Sequence, residues 1–320
     1  MAKHPYLIDI TDKENWLHVN MHMDDNGNVD EEQRIILYPE GENQRFDFTD
    51  SMFYGRTSYH EHKVGWEIFF MSDGEMDLTV HGQTARVGTG DVLVIPPYCA
   101  HQMIFLTPTR WRATFHDMGM SYLLNNSDRM RKYYPEWRED PANTRTYLAN
   151  RTNVIREATY DKPVDKSELY EVRNKDKYLA RHDFEGLTMK MMTARWEQNG
   201  VMEMWRLEME DTFGVEYQPV VPATDLFFIT EGEVEFTCGE ETFTAYKDCL
   251  VKIPTYVPRS FVSRGKSVMY DVGGMTHWLD AIEDWQSLKY NNPEKYADKD
   301  YLKQVMLRHE CFVKSFGLGR

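Results

Sequence analysis

Between residues 59 and 74 the chain reads Tyr59-His60-Glu61-His62, followed by Glu67 and then by Gly74. In an extended strand, residues two apart point to the same face, so His60 and His62 present both imidazoles to one side. Glu67, on or near the next strand, can add a carboxylate. His101, five residues past the strand-ending Pro96, can complete the set from a distant part of the chain. The pattern predicts a metal site formed by these four side chains.

A related pattern occurs a second time, 158 positions further along. The run from Glu67 to Val80 aligns with the run from Asp225 to Cys238, and the acid, the Phe-Phe pair and the Gly-Glu pair all coincide. Pro96 matches Pro254 at the same offset. Since twice this offset nearly spans the 320 residues, we predict two tandem copies of one unit, 1–150 and 151–320.

Each unit is predicted to be mainly β. Met76, Leu78 and Val80 alternate with polar residues, and a short apolar run from Val92 ends at Pro96. Many short strands separated by Gly, Pro and Asp turns indicate a sandwich or barrel. A segment with helix-like periodicity follows each β block, at roughly 120–137 and 278–309, and we expect these helices to pack outside the barrels.

The composition restricts the function classes. With 52 acidic against 37 basic residues, the net charge of -15 repels phosphate backbones and anionic membranes, so nucleic acid and membrane partners are not expected. No stretch resembles a signal peptide or a membrane helix, which predicts a cytoplasmic protein. The cysteines lack metal or redox spacing and are interpreted as buried thiols: Cys99, Cys238, Cys249 and Cys311.

The histidine-containing runs resemble the two signature motifs of the cupin superfamily. The first motif corresponds to Gly55, His60-x-His62, Glu67 and Gly74, and the second to Gly90, Pro96-Pro97-Tyr98 and His101. The spacing of Gly55 and the presence of Tyr98 where the family has glycine depart from the pattern. The resemblance implies a bicupin, with two tandem barrels of the double-stranded β-helix, or jelly-roll-like, type and peripheral helices after each barrel.

A cupin site implies one divalent transition metal per chain. Three imidazoles and a carboxylate suit Fe(II), which we favour, and also Mn, Ni, Zn, Co or Cu. Glu67 could remain a ligand or leave the metal to act as a base. An isolated histidine usually has a structural role, and a single His-x-His pair fits either interpretation equally well. The prediction therefore depends on the combined spacing of all four ligands.

The substrate pocket is predicted from strand parity. Arg56 would share the inward face with His60, while Phe69 follows Glu67, and Met103 and Phe105 follow His101. This describes an apolar lumen with one cation for a substrate carboxylate. The alternative interpretation is that the apolar side chains simply fill the barrel.

The second unit is predicted to have lost the metal set. The offset of 158 places Gln218, Val220, Asp225 and Arg259 where the four ligands stand. Val220 cannot coordinate, and the cationic Arg259 would repel a metal. Either this barrel is structural, with an Arg259–Asp225 ion pair inside, or Arg259 binds the carboxylate of a ligand.

The resemblance leaves several functions open, because cupin sites support different reactions. Our leading hypothesis is a non-haem dioxygenase acting on a small aromatic or hydroxy/keto acid. Alternatives are a redox-neutral isomerase, decarboxylase or lyase, and a non-catalytic small-molecule-binding cupin like the effector barrels of AraC-type regulators. We expect a small-molecule substrate as partner, and assembly into a homo-oligomer stays open.

Overall fold

The computed structural model describes residues 4–23, 29–38, 46–63, 65–116, 129, 132–136, 153–157, 161–198, 202–273 and 277–320. The chain forms two compact units. The N-terminal unit comprises Trp16–Tyr178, and the C-terminal unit comprises Met1–Asn15 together with Leu179–Arg320. Both are built mainly of strands, which confirms the predicted fold class.

Strand β1 (Leu7–Asp9) belongs to the C-terminal unit. The strands of the N-terminal unit are β2 (His18–Met23), β3 (Val29–Leu37), β4 (Phe46–Phe53), β5 (His60–His62), β6 (Trp66–Asp73), β7 (Glu75–Val80), β8 (Gln83–Gly88), β9 (Val92–Ile95), β10 (His101–Phe105), β11 (Thr109–His116), β12 (Asn153–Ile155), β13 (Lys162–Pro163) and β14 (Val172–Arg173). The remaining strands of the C-terminal unit are β15 (Ala180–Phe184), β16 (Leu187–Thr193), β17 (Met204–Met209), β18 (Gly214–Pro219), β19 (Asp225–Cys238), β20 (Glu241–Tyr246), β21 (Cys249–Ile253), β22 (Arg259–Asp271) and β23 (Cys311–Gly317). Its helices are α1 (Trp278–Asn291), α2 (Pro293–Ala297) and α3 (Lys299–Arg308).

The N-terminal unit is a barrel of two facing sheets. One sheet has the order β14-β9-β6-β11-β4-β3-β2 and the other the order β12-β5-β10-β7-β8-β13. Phe69 and Trp111 from the first sheet share one buried cluster with Leu78 and Met103 from the second. The alternation of Met76, Leu78 and Val80 toward this core confirms the predicted strand parity.

The C-terminal unit repeats this arrangement with longer strands. In the described part of this unit, ten strands form one hydrogen-bonded sheet. The sheet is continuous because β19 and β22 are each long enough to replace two of the shorter strands seen in the N-terminal unit. One end of β22 pairs with β18 and the other with β17, as β10 pairs with β5 and β11 pairs with β4. The internal duplication therefore corresponds to two copies of one strand topology.

The compact units differ from the predicted ranges 1–150 and 151–320. Strands β12, β13 and β14 extend the N-terminal unit because they pair with β5, β8 and β9. Strand β1 pairs with β21, which assigns the first residues to the C-terminal unit. These edge strands are held by backbone hydrogen bonds, which polar sequences form as readily as apolar ones.

The helices of the C-terminal unit lie within the predicted segment 278–309. Most of the other predicted helical segment, 120–137, lies outside the described residues. Within the part of the chain that the structure describes, no helix is long and apolar enough to cross a membrane. All four cysteines are free and buried, as predicted.

Candidate metal centre

The four predicted ligands come from three strands, two in one sheet of the barrel and one in the facing sheet. His60 and His62 lie on β5, and His101 begins β10 directly opposite His60. Glu67 lies on β6 in the facing sheet. The ligating nitrogens of the three histidines lie within 4.8 Å of one another. The fold thus brings together residues that are up to 41 positions apart in the sequence.

Glu67 closes the set from the opposite wall of the barrel. Its Oε1 lies 2.8 Å from His62 Nε2, and its Oε2 lies 3.3 Å from His101 Nε2. His62, Glu67 and His101 are all buried, whereas His60 is partly exposed. The centre is therefore enclosed on three sides, and His60 lies on its more accessible side.

Backbone carbonyls orient two of the imidazoles. His60 Nδ1 lies 2.8 Å from the Ser58 carbonyl oxygen, and His101 Nδ1 lies 2.9 Å from the Cys99 carbonyl oxygen. A carbonyl can only accept, so both Nδ1 atoms must carry the proton and donate it. With Nδ1 engaged in this way, Nε2 is the nitrogen of each ring that is left to bind a metal.

The surroundings also set the protonation states of the ligands. Burial, followed by the neighbouring His101 and His62, lowers the pKa of His60 to about 3. Burial acts to raise the pKa of Glu67, but His62 and His101 outweigh this effect and hold that pKa below its usual range. Near neutral pH the centre therefore combines a neutral His60 imidazole with an ionised carboxylate, the forms that bind a metal.

The spacing fits a metal ion. Ligands at about 2.1 Å from a metal in octahedral geometry lie about 3.0 Å from their neighbours. The two nitrogen-to-oxygen distances of 2.8 and 3.3 Å bracket this value. The donor set of three nitrogens and one oxygen is also one that divalent transition metals accept.

The predicted apolar pocket residues pack into the barrel core. Phe69, Met103 and Phe105 are buried in one cluster with Phe53 and Trp111. The Phe69 and Trp111 ring centroids are 4.5 Å apart, and those of Phe53 and Phe105 are 5.3 Å apart. These contacts agree with the interpretation that the apolar side chains fill the barrel. They also place apolar side chains next to Glu67 and His101 along β6 and β10.

Arg56 does not share the inward face, contrary to the prediction. It is exposed and forms a β-bridge with Ile104, whereas His60 pairs with His101. From the Arg56–Ile104 pair to the His60–His101 pair, one strand advances by four residues and the other by three. This irregularity of one residue puts the side chains of Arg56 and His60 on opposite faces of the sheet. Arg56 therefore lies on the outer face, with the half-buried Ile104.

The second barrel contains an ion pair at the corresponding place. Arg259 Nη1 lies 2.6 Å from Asp225 Oδ2, and both side chains are fully buried. The other two guanidinium nitrogens donate to the carbonyls of Val257 and Pro254, at 2.8 and 3.0 Å. Because all three nitrogens of Arg259 are engaged inside the barrel, the structure favours a structural role over a ligand-binding one.

Tyr217 is the interior residue of the second barrel that was missed when the two units were aligned at the offset of 158. It pairs with Arg259 across the strands, as His60 pairs with His101, and its hydroxyl donates to Asp225 at 2.5 Å. Gln218 lies on the opposite face of β18 and is half-buried, and Val220 follows the end of that strand and is 40% exposed. The offset here is 157 rather than 158, a one-residue shift that only strand pairing shows.

Trp278, the first residue of α1, fills the rest of this interior. Its ring stacks on Tyr217 with centroids 5.4 Å apart, and its Nε1 donates to the buried Asp271 at 2.9 Å. The space that holds the metal ligands in the first barrel is thus occupied by side chains in the second.

Comparisons with known proteins agree with this architecture. Residues 54–115 match the family described as a cupin domain. None of the curated proteins matches the chain. Among solved structures, oxalate decarboxylase from Bacillus subtilis is similar, with 13% identity, a TM-score of 0.51 and coverage of 98% of this chain and 89% of that one.

Two further structures show the same likeness. Oxalate decarboxylase from Lactobacillus farciminis, in a formate complex, has 12% identity, a TM-score of 0.52 and coverage of 95% of this chain and 97% of that one. Salicylate 1,2-dioxygenase from Pseudoaminobacter salicylatoxidans has 12% identity, a TM-score of 0.51 and coverage of 75% and 70%. At this identity the likeness establishes the fold. Residues 54–115 thus match a cupin domain in sequence, and the chain as a whole shares the fold of these structures.

Proposed function

We propose that this protein is a metal-dependent enzyme whose N-terminal barrel holds one divalent metal ion through His60, His62, Glu67 and His101. The convergence of three imidazoles and one carboxylate inside a buried, apolar barrel carries the proposal. The favoured reaction is oxygen-dependent cleavage of a small aromatic or hydroxy/keto acid, with Fe(II) as the metal. Bound Fe(II) would supply Lewis acidity and a one-electron redox couple.

The residues around the centre determine how a substrate could bind. Four protein ligands leave two positions free in octahedral coordination. Phe69, Met103 and Phe105 carry no charge, and Arg56 lies on the outer face. A substrate would therefore be held by its own adjacent oxygen atoms at the two free positions, which favours acids with a neighbouring hydroxyl or keto group.

Glu67 has a second role in the proposal. It is ionised and lies between two imidazoles, at 2.8 and 3.3 Å. As a base, Glu67 would take a proton from a substrate hydroxyl. His62 and His101 stabilise its charged form and so weaken it as a base, which favours its role as a metal ligand.

A redox-neutral decarboxylase is the second candidate. Oxalate decarboxylase structures cover 98% of this chain, whereas the salicylate 1,2-dioxygenase covers 75%. One of these oxalate decarboxylase structures is described by its Mn(II) centres. A decarboxylase, isomerase or lyase with Mn or Zn would form product without consuming oxygen.

The metal content of purified protein tests the site. We expect about one equivalent of metal in the wild type and less than about a tenth in His101→Ala, because loss of one buried ligand weakens binding strongly. His81→Ala, which removes an exposed histidine from a turn of the same barrel, is the matched control and should retain the metal. Equal metal content in all three proteins would refute the site.

Oxygen consumption tests the reaction. The Fe-loaded protein is incubated with a panel of aromatic, hydroxy and keto acids, with and without oxygen. Oxygen uptake in proportion to product supports the dioxygenase, and the His101→Ala protein should show none. Product formation in the absence of oxygen would replace the dioxygenase with the redox-neutral alternative.

A further inference from the structure

The C-terminal unit contains a cavity of about 240 Å³ between α1, α2 and β23. Three of its ten lining residues are aromatic. The Trp285 ring lies 5.7 Å from that of Phe316, edge to face, and 6.3 Å from that of Tyr296. One water molecule takes up ~30 Å³, so the cavity has room for about eight water molecules or for one small ring compound.

Three buried polar atoms at this cavity have no hydrogen-bond partner among the residues that the structure describes. They are Trp285 Nε1, Gln286 Oε1 and Ser315 Oγ, and all three residues line the cavity. An indole N–H can only donate, an amide oxygen can only accept, and a hydroxyl can do either. Buried polar atoms are nearly always paired, so this set indicates a ligand that both accepts and donates hydrogen bonds.

The charges around the cavity favour an anion. Lys289, Lys314 and Arg320 line it together with a single acid, Glu185. Lys314 also forms a 3.0 Å ion pair with Glu216, which offsets part of this charge. A local excess of cations stands out in a chain of net charge -15, and it would attract a carboxylate.

We propose that this cavity binds a small planar carboxylate that carries a hydroxyl group. The ring packs among Trp285, Tyr296 and Phe316, the carboxylate accepts from Trp285 Nε1, and the hydroxyl donates to Gln286 Oε1. The cavity lies wholly within the C-terminal unit, and the metal ligands lie wholly within the N-terminal unit. The proposal is therefore independent of the function of the metal centre.

The test is direct binding of 4-hydroxybenzoate to the full chain, measured by calorimetry and by saturation-transfer NMR. We expect one saturable site in the wild type and an unchanged site in His101→Ala, which lacks a metal ligand. Trp285→Phe keeps a ring but loses the donor, and should bind about tenfold more weakly, the usual effect of losing a hydrogen bond to a charged group. Trp196→Phe is the matched control, because Trp196 is 73% exposed and does not line the cavity; it should bind normally.

A second variant tests the hydroxyl contact. The wild type should prefer 4-hydroxybenzoate over benzoate, and Gln286→Leu should bind the two equally. Absence of saturable binding at millimolar concentration would overturn the proposal and leave a water-filled cavity. Binding that is lost in His101→Ala and kept in Trp285→Phe would also overturn it, since the ligand would then be at the metal centre.

Discussion

Tyr98 has a left-handed backbone conformation at the turn that leads to His101. Its φ is 62°, and Tyr256, 158 positions later, has a φ of 63°. Both side chains are exposed, at 65% and 57%. A left-handed conformation costs a residue with a side chain about 1–2 kcal/mol, a cost that glycine avoids. Tyr98 stands where the cupin motif has glycine, and its backbone is therefore locally strained. Tyr256 carries the same strain in the second barrel.

Replacing Tyr98 should therefore stabilise the protein. We expect Tyr98→Gly to raise the free energy of unfolding by about 0.5–1 kcal/mol, since the greater flexibility of glycine in the unfolded chain cancels part of the gain. Tyr98→Ala removes the same ring and keeps the strain, so it should bring no gain. Urea unfolding measures both, and equal stability of the two variants would show that the backbone conformation is not the cause.

Glu203 should make stability depend on pH. It is buried, accepts from Trp205 Nε1 at 3.2 Å and lies 3.3 Å from Arg195 Nε. Burial raises the pKa of Glu203, and the nearby Arg195 lowers it by a smaller amount. The pKa therefore lies above its usual 4.5. The folded state then binds more protons than the unfolded state, so stability falls as pH rises from about 4.5 through the raised pKa.

The variant Glu203→Gln should remove this dependence. At pH 8 it should be more stable than the wild type, and at pH 4 the two should be alike, because the wild-type carboxyl is then protonated in both states. Urea unfolding across this range measures the difference. Glu210→Gln, at an exposed site of the same unit, is the control and should follow the wild-type profile. A constant difference between Glu203→Gln and the wild type at all pH values would contradict the explanation.

At the scale of elements, one glycine lies at the corresponding bend of each barrel. Gly74 separates β6 from β7 with a φ of 92°, and Gly232 lies within β19 with a φ of 74°. A Cβ on Gly74 would lie 2.6 Å from the Pro108 carbonyl oxygen, and one on Gly232 would lie 2.4 Å from that of Lys266. Both bends therefore need glycine for its conformation and for the close approach of another backbone.

Substitution of Gly74 should be more damaging than substitution of another left-handed glycine. Gly74→Ala should lower the free energy of unfolding by about 2–5 kcal/mol, from backbone strain and overpacking together. Gly90→Ala is matched, because Gly90 has a φ of 90° but nothing within 4 Å of the added Cβ, and it should cost only about 1–2 kcal/mol. Thermal and urea unfolding compare them, and equal losses would show that the contact with Pro108 is unimportant.

Alternating hydrophobicity predicted the regular strands and failed where a strand is irregular. Met76, Leu78 and Val80 face the core as predicted, since β7 is continuous. The strand-parity rule placed Arg56 on the wrong face, and the fixed offset of 158 selected Gln218, which lies on the opposite face from Tyr217. In each case a shift of one residue inverts every side chain beyond it, and the pattern of apolar residues does not reveal such a shift.

At the scale of the whole molecule, the two barrels should respond differently to metal. In the proposed function only the N-terminal unit binds the metal ion. When the free metal concentration is a thousandfold above Kd, binding raises the free energy of unfolding of that unit by about 4 kcal/mol. Removal of metal by a chelator should therefore speed amide hydrogen exchange in peptides from β5, β6 and β10. Peptides from β18, β19 and β22 should not change, because the Arg259–Asp225 pair fills that barrel without metal. Equal acceleration in both units, measured by mass spectrometry, would contradict one metal site per chain.

The sequence alone determined the mainly β architecture, the duplication and the four candidate ligands. These features depend on local spacing: a two-residue period on strands, turns at Gly and Pro, and a repeated run of similar residues. Such patterns are visible in a single chain because each consists of short runs of residue types at fixed spacing.

Only the tertiary structure decided which residues share an interior. It showed the Glu67 carboxylate between His62 and His101, Tyr217 and Trp278 inside the second barrel, and the assignment of β1 to the C-terminal unit. These relations arise from hydrogen-bond register and from packing between strands distant in sequence. A bulge or a one-residue shift in register moves every side chain beyond it to the other face of the sheet, and here the pairing of the strands revealed where these shifts occur.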